Sequence, residues 1–148
     1  MTSRLVEPAE ILLVEDNPDD VELTLEALAE SRVENRPHVA RDGIEGLDFL
    51  LRRNGQAGAP TPDVIFLDLN MPRMNGREML AEIKKHPALR RIPVVILTTS
   101  KAEEDILRSY DLQAAAYVVK PVDFDRFVEA IHSIDAFWLR VVTYTPRP

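Results

Sequence analysis

Five short apolar runs alternate along the chain with segments whose apolar residues recur at helical spacing. Runs that are almost continuously apolar are typical of parallel strands with helices on both faces. The runs begin at Ile11, His38, Val64, Val94 and Tyr117. Crossovers between parallel strands are short and right-handed, so this alternation leaves few topologies. It predicts an α/β fold, a three-layer doubly wound (βα)5 sandwich with strand order 2-1-3-4-5.

Helices are expected after each strand, at about residues 19–30, 43–53, 75–85, 101–110 and 123–138. The first two place their aliphatic residues on one face. The connector 54–62 is rich in Gly, Pro and Ala, which is typical of an exposed loop rather than a domain boundary. We therefore expect one domain over residues 1–138 and an extended tail over 139–148.

The composition of the chain argues against several classes of function. The chain of 148 residues has a net charge of −7 and no cysteine. Disulfides, thiolate metal sites and cysteine nucleophiles are thereby excluded. No basic cluster exceeds two adjacent arginines, so direct nucleic-acid binding is not expected. No apolar run approaches the roughly 20 residues that span a bilayer, and the N-terminus does not resemble a signal peptide. The expected location is the cytoplasm, away from membranes.

Polar residues follow the apolar runs, at the predicted carboxyl ends of the strands. Glu15 and Asp16 follow the first run, Asp68 ends the third, Thr98 and Thr99 end the fourth, and Lys120 ends the fifth. In open α/β sheets, ligands bind at this edge, where the strand order reverses. Strands 1 and 3 are neighbours in the predicted order, so the three acidic residues should form one pocket.

Three ionised carboxylates in one pocket repel each other, which should raise some of their pKa values or demand a counter-ion. Mg2+ suits a site with a few oxygen ligands completed by water or phosphate. Lys120 could pair with a phosphoryl oxygen as a point charge, and Thr98 could donate a hydroxyl hydrogen to another. With Asp68 as nucleophile, this arrangement predicts an aspartyl phosphate.

Each residue also has a simpler interpretation. Asp16 and Asn17 could cap the helix that follows them. Asp68 could close a turn, Thr98 could be a strand-end residue and Lys120 a solvated lysine. Their shared position at one edge of the sheet favours a site.

Four motifs, in this order, resemble the receiver domain of two-component response regulators: LLVEDN, VIFLDLNMPRMNG, IPVVILTTS and YVVKP. The similarity extends from about residue 10 to residue 134. It implies that a histidine kinase phosphorylates Asp68. It also implies that Asp16, Asp68 and the Asn70 carbonyl hold Mg2+, with Glu15 acting through water.

The same resemblance assigns roles around the phosphoryl group. It implies that Thr98 and Lys120 contact this group, that the bond from Lys120 to Pro121 is cis, and that Tyr117 is the rotating aromatic of the switch. The positions that tune dephosphorylation are occupied by Asn70 and Ser100. Two departures are a glutamate at position 15, where aspartate is commoner, and the lack of a glycine before the fifth strand.

A closer resemblance is to small stand-alone receivers that partner bacterial phytochromes. They share the RRNGQAGAPTPD loop, the IPVVILTTS segment and a terminal FWL followed by an extended tail. This similarity implies that the phosphodonor is a red-light-sensing histidine kinase. An output domain is not expected in 148 residues, so the protein should act as a signalling phosphoacceptor rather than an enzyme, through partner binding or self-association.

The fifth helix and the tail carry more apolar surface than one sheet face should cover. We expect a homodimer through the fourth helix, fifth strand, fifth helix and tail. The predicted interface residues are Phe127, Ile131, Ile134, Trp138, Leu139 and Tyr144. The alternative is a tail that folds back on its own domain.

Three other functions share parts of this pattern. A Mg2+ phosphatase of the haloacid dehalogenase type expects a second aspartate two residues after the nucleophile, where this chain has Asn70. A flavin or nucleotide module would need a glycine-rich or hydroxyl-rich first loop instead of EDNPDD. A phosphorylation-independent interaction module would not need the full set of acids, threonine and lysine. The phosphoacceptor interpretation therefore accounts for the most residues.

Overall fold

The computed structural model describes residues 8–30, 34–71, 73–110, 112–123, 125–127 and 129. Strands and helices alternate within this part of the chain. The strands are β1 (Ala9–Val14), β2 (Asn35–Ala40), β3 (Val64–Asp68), β4 (Val94–Thr98) and β5 (Ala116–Val119). The helices are α1 (Pro18–Glu30), α2 (Gly43–Leu51), α3 (Gly76–Lys85) and α4 (Lys101–Arg108). Residues 125–127 are again helical, at the start of the predicted fifth helix.

The sheet is fully parallel and has the order β2-β1-β3-β4-β5, which confirms the predicted topology. Val14 lies opposite Leu67, and Asp68 lies opposite Leu97. This register ends β1 and β3 side by side. The residues that follow β1 therefore lie next to Asp68.

Two hydrophobic clusters cover the two faces of the sheet. In β3, Ile65 and Leu67 belong to one cluster, while Val64 and Phe66 belong to the other. All five residues of β3 are buried. Burial of each large aliphatic or aromatic side chain stabilises the fold by about 1.5–3 kcal/mol. Asp68 is thus fixed at the end of a rigid, doubly packed strand.

The ends of several elements differ from the prediction. β2 begins at Asn35 rather than His38, because backbone pairing with β1 extends over polar residues at the sheet edge. Their side chains are held from β1: Glu10 accepts hydrogen bonds from Arg36 and pairs with His38 at 2.8 Å. α2 ends at Leu51, where Arg52 takes the left-handed conformation with φ 54°.

Phe127 corrects the predicted dimer interface. Its side chain is completely buried, and its ring centroid lies 5.9 Å from that of Phe66 in the domain's own core. The prediction that Phe127 lies on a dimer surface is therefore wrong. The other predicted interface residues and the tail lie outside the described residues.

Helices that combine the length and the apolar character needed to cross a bilayer are absent from the described part of the chain.

Candidate functional site

An acidic cluster forms where β1 and β3 end. Glu15, Asp16 and Asp68 each offer a carboxylate oxygen, and these oxygens lie within 4.8 Å of one another. Glu15 and Asp68 are buried, while Asp16 is half-buried. The predicted convergence of the three acids is confirmed by this geometry.

Lys120 lies among these acids. Its Nζ atom is 3.1 Å from Glu15 Oε1, 3.2 Å from Asp68 Oδ2 and 3.0 Å from Asp20 Oδ2. Burial lowers the pKa of Lys120, but the three carboxylates more than compensate and raise it above its usual value. The lysine therefore stays charged. Its side chain is only 12% exposed, so the solvated-surface interpretation is excluded.

Asp20 is a member of the site that the sequence interpretation missed. It lies in the first turn of α1, within EDNPDD, a sequence that by itself predicts only an acidic loop and a helix start. Asn17 is the residue that caps this helix, because its Oδ1 accepts hydrogen bonds from the N–H groups of Asp19 and Asp20. The capping interpretation is thus correct for Asn17, whereas Asp16 belongs to the acidic cluster.

The pKa of Glu15 reflects the excess of negative charge in the acidic cluster. Burial raises its pKa to about 7, with further contributions from its hydrogen bond with Asp68 and from repulsion by that carboxylate. The Asn17 N–H, which donates to Glu15 Oε2 at 3.1 Å, and the Lys120 ammonium act in the opposite direction. One lysine therefore does not neutralise the cluster. A hard divalent cation fits this all-oxygen donor set.

The loop after β3 is held close to Asp68. The Asn70 N–H donates to Asp68 Oδ1 at 3.0 Å. α3 then begins at Gly76, where a Cβ atom would lie 2.6 Å from the Leu69 Cα. Only glycine permits this approach, since Cβ atoms essentially never come within 3.0 Å of backbone. The first turn of α3 is therefore packed directly against the end of β3.

The far side of this loop is attached to α2. Arg73 Nε donates to Asp42 Oδ2 at 2.6 Å, and the Gly43 N–H donates to the Met74 carbonyl at 2.9 Å. Arg73 has a positive φ of 57°, a conformation that is costly for a residue other than glycine. The loop that carries the Asn70 carbonyl is thus fixed at both ends.

Thr98 does not contact the acidic cluster. It is fully buried, and its Oγ1 donates to the Val118 carbonyl at 3.4 Å. The hydroxyl must therefore leave β5 before it can reach a group on Asp68. The bond from Lys120 to Pro121 is cis, as the resemblance implied. Tyr117 is half-buried, and the Arg108 guanidinium lies 4.6 Å from its ring centroid.

Asn70 and Ser100 meet at a residue that the sequence interpretation missed, Glu103. The Glu103 carboxylate accepts hydrogen bonds from Asn70 Nδ2 at 3.2 Å and from the Thr99 N–H at 3.0 Å. Ser100 caps α4 and accepts from the Glu103 N–H at 3.1 Å. The sequence did contain a signal, since a serine followed three residues later by a glutamate is typical of a capping box.

Glu104 organises the outer face of α4. Its Oε2 accepts hydrogen bonds from Lys101 Nζ at 3.1 Å and Arg108 Nε at 2.7 Å. Burial raises the pKa of Glu104, but the two cations outweigh it and hold the pKa below the usual 4.5. The same Arg108 lies over the Tyr117 ring. Glu104 therefore fixes the cation that covers the proposed switch residue.

Replacing Glu104 with Gln should lower the free energy of unfolding by about 1 kcal/mol at pH 7, because the charge-assisted bonds are lost. A depressed folded-state pKa stabilises the protein above pH 4.5, and this contribution disappears as the pH falls through the folded-state value. Urea unfolding from pH 7 to pH 3 should show the two proteins converging in acid. Glu82→Gln, at a more exposed single pair with Lys85, is the control. A gap that persists in acid would contradict an electrostatic cause.

A family profile described as the response regulator receiver domain matches residues 11–132. The chain belongs to this receiver family. Response regulator Rcp1 of Synechocystis sp. (strain ATCC 27184 / PCC 6803 / Kazusa) is 42% identical over 136 residues, which cover 92% of each chain.

Solved structures of response regulators agree with the assignment of this chain to the receiver family. The bacteriophytochrome response regulator AtBRR is 47% identical with a TM-score of 0.82, over 89% of this chain and 96% of that one. The phosphorylated cyanobacterial phytochrome response regulator RcpA is 45% identical with a TM-score of 0.73, over 90% and 95% of the two chains. The Mn(2+)-bound form of Rcp1 is 41% identical with a TM-score of 0.72, over 95% and 100%.

Proposed function

We propose that this receiver accepts a phosphoryl group on Asp68 from the phosphohistidine of a sensor histidine kinase, in a reaction that requires Mg2+. The observation that carries the proposal is the position of Asp68. Its carboxylate ends a buried strand, 3.2 Å from the Lys120 ammonium and beside two further acids. A fixed nucleophile surrounded by opposite charges suits phosphoryl transfer, which depends on positioning and electrostatic stabilisation.

The transfer uses few groups. A carboxylate oxygen of Asp68 attacks the phosphorus atom, an O–P bond forms, and the N–P bond breaks with its electron pair returning to the imidazole nitrogen. Lys120 lies beside the negative charge that the transferred oxygens bring. Thr98 donates its hydroxyl to one of them after releasing the Val118 carbonyl. These roles are supported by the contacts of Lys120 and by the burial of Thr98 at the end of β4.

Asp16, Asp68 and the Asn70 carbonyl are the proposed Mg2+ ligands, and Glu15 acts through water. The raised pKa of Glu15 supports this assignment, because the cluster has negative charge that Lys120 leaves unneutralised. When bound, the cation supplies charge neutralisation and orients phosphate oxygens. The similarity to Rcp1, which has been solved with Mn(2+) bound, also favours a divalent metal at this edge.

The proposed kinase is of the phytochrome type. Two of the relatives are described as phytochrome or bacteriophytochrome response regulators, and each matches at least 89% of this chain at 45% identity or more. RcpA was solved in its phosphorylated form, which supports phosphorylation as the input. A red-light-sensing histidine kinase in the cytoplasm is therefore the proposed donor.

The proposed output is a population shift that changes partner binding or dimerisation. Phosphorylation would favour a state in which Thr98 turns towards Asp68 and Tyr117 moves inward, away from Arg108. The expected homodimer, and the boundary between a receiver over residues 1–138 and a tail contact over 139–148, stay predictions. They depend on residues outside the described part of the chain.

Incubation with acetyl phosphate tests the function. With Mg2+, the intact mass should increase by one phosphoryl group, and EDTA should prevent the increase. Continuous turnover of p-nitrophenyl phosphate would instead favour a phosphatase of the haloacid dehalogenase type. Absence of any adduct would leave only a phosphorylation-independent interaction module.

A further inference from the structure

Glu103 joins two loops on opposite sides of the site. One carboxylate oxygen accepts the Asn70 side-chain amide, in the loop after β3, at 3.2 Å. The other accepts the Thr99 N–H, in the loop after β4, at 3.0 Å. The backbone N–H of Asn70 meanwhile donates to Asp68 itself. Glu103 is therefore linked to the phosphoacceptor Asp68 through a single intervening residue, Asn70.

The end of β4 lies between Asp68 and Lys120. β4 separates β3 from β5 in the sheet, and the Lys120 N–H donates to the Thr98 carbonyl at 2.8 Å. The Asp68 carboxylate and the Lys120 ammonium nevertheless approach to 3.2 Å, so they meet across this strand end. A phosphoryl group on Asp68 must occupy the same region. Thr99 directly follows Thr98, the last residue of β4, and its N–H is a hydrogen-bond donor at the border of the region between Asp68 and Lys120.

This donor is suited to an anion. It directly precedes Ser100, the cap of α4, and free N–H groups at a helix N-terminus favour negative charge. In the unphosphorylated protein the anion on it is the Glu103 carboxylate. A phosphoryl oxygen and this carboxylate cannot both occupy the Thr99 N–H. The negative charges of a phosphoryl oxygen and the Glu103 carboxylate would also repel each other.

We propose that Glu103 is an internal anion that competes with the phosphoryl group for the Thr99 N–H. The inference rests on the proposed function of Asp68. Phosphorylation must displace the Glu103 carboxylate, so the binding-competent form is only a fraction of the free protein. The apparent affinity for the phosphoryl group is lowered by that fraction. Glu103 is thus a positioning residue that sets how readily the receiver is activated.

Beryllofluoride with Mg2+, a mimic of the phosphoryl group on aspartate, provides the test. Titration of Glu103→Ala should give a dissociation constant roughly 1.5-fold to fivefold lower than that of the parent, the range expected for release of one exposed charged contact. Glu103→Gln, which keeps the shape without the charge, should fall between them. The amide resonance of Thr99 should shift in free Glu103→Ala, whereas in the parent it should shift when beryllofluoride is added.

Glu45 offers a matched control. It occupies the same position in α2: the Arg41 N–H donates to its carboxylate at 3.1 Å, and its own N–H donates to the capping residue Asp42. Glu45→Ala should lose the same helix-capping stability and leave beryllofluoride affinity unchanged. Equal or weaker affinity in Glu103→Ala, with normal binding by the parent, would show that Glu103 is only a helix cap. Failure of the parent to bind beryllofluoride would overturn the function of Asp68, and this proposal with it.

Discussion

Asp68→Asn will slow phosphorylation by at least about a thousandfold, because the amide that replaces the carboxylate cannot act as the nucleophile. The substitution is nearly isosteric, and the side-chain oxygen can still accept the Asn70 N–H. Removing one charge also relieves the repulsion that raises the pKa of Glu15. The variant should therefore stay folded. Intact-mass measurement after acetyl phosphate and Mg2+ gives the result directly.

Asp19→Asn is the matched control for this experiment. Asp19 is an exposed acid in the first turn of α1, close in sequence to the acidic cluster but not part of it. The Asp19→Asn variant should be phosphorylated at the same rate as the parent protein. An adduct that forms at the parental rate in the Asp68→Asn variant would mean that a neighbouring acid, such as Asp16 or Asp20, is the acceptor.

Lys120→Met will have two large effects. Phosphorylation should slow by about a hundredfold to a thousandfold, the usual consequence of removing one electrostatic contact to a developing charge. Without Mg2+, the free energy of unfolding at pH 7 should fall by about 3 kcal/mol, since Glu15, Asp20 and Asp68 lose their shared cation. Added Mg2+ should restore part of this stability by binding only the folded state.

Phosphorylation rates and urea unfolding, each measured with and without Mg2+, separate these effects. Lys101→Met is the control, because Lys101 is 71% exposed and pairs with Glu104 and Asp105, away from the acidic cluster. It should change neither the rate nor the response to Mg2+. If Lys120→Met were phosphorylated at the parental rate, Lys120 would have a structural role alone.

The fold was predictable because the apolar runs in the sequence nearly coincide with the strands of the structure. β3 matches its predicted run, β4 ends one residue before its run does, and the strand order agrees with the predicted topology. The convergence of Glu15, Asp16, Asp68 and Lys120 was predictable for a related reason. Each follows or ends a strand, and parallel strands bring their carboxyl ends to one edge.

The contacts that were missed come from helix starts and loops. Asp20 and Glu103 reach the site from the first turns of α1 and α4, and Arg73 reaches Asp42 across two loops. Such contacts depend on side-chain rotamers and loop geometry rather than on periodicity. The prediction for Phe127 was wrong for a different reason. An apolar stripe on a helix does not show which of its residues are buried in the domain's own core.

The ion pair between Lys120 and Glu15 joins residues that are 105 positions apart in the chain. Glu15 follows the first strand, Asp68 ends the third and Lys120 follows the fifth, so the site is complete only when these strands have assembled. A chain that has lost β5, or has not yet docked it, keeps its acids but lacks their partner. Molecules in which β5 is not in place therefore lack the Lys120 ammonium at the site, and they should be phosphorylated far more slowly than fully folded ones.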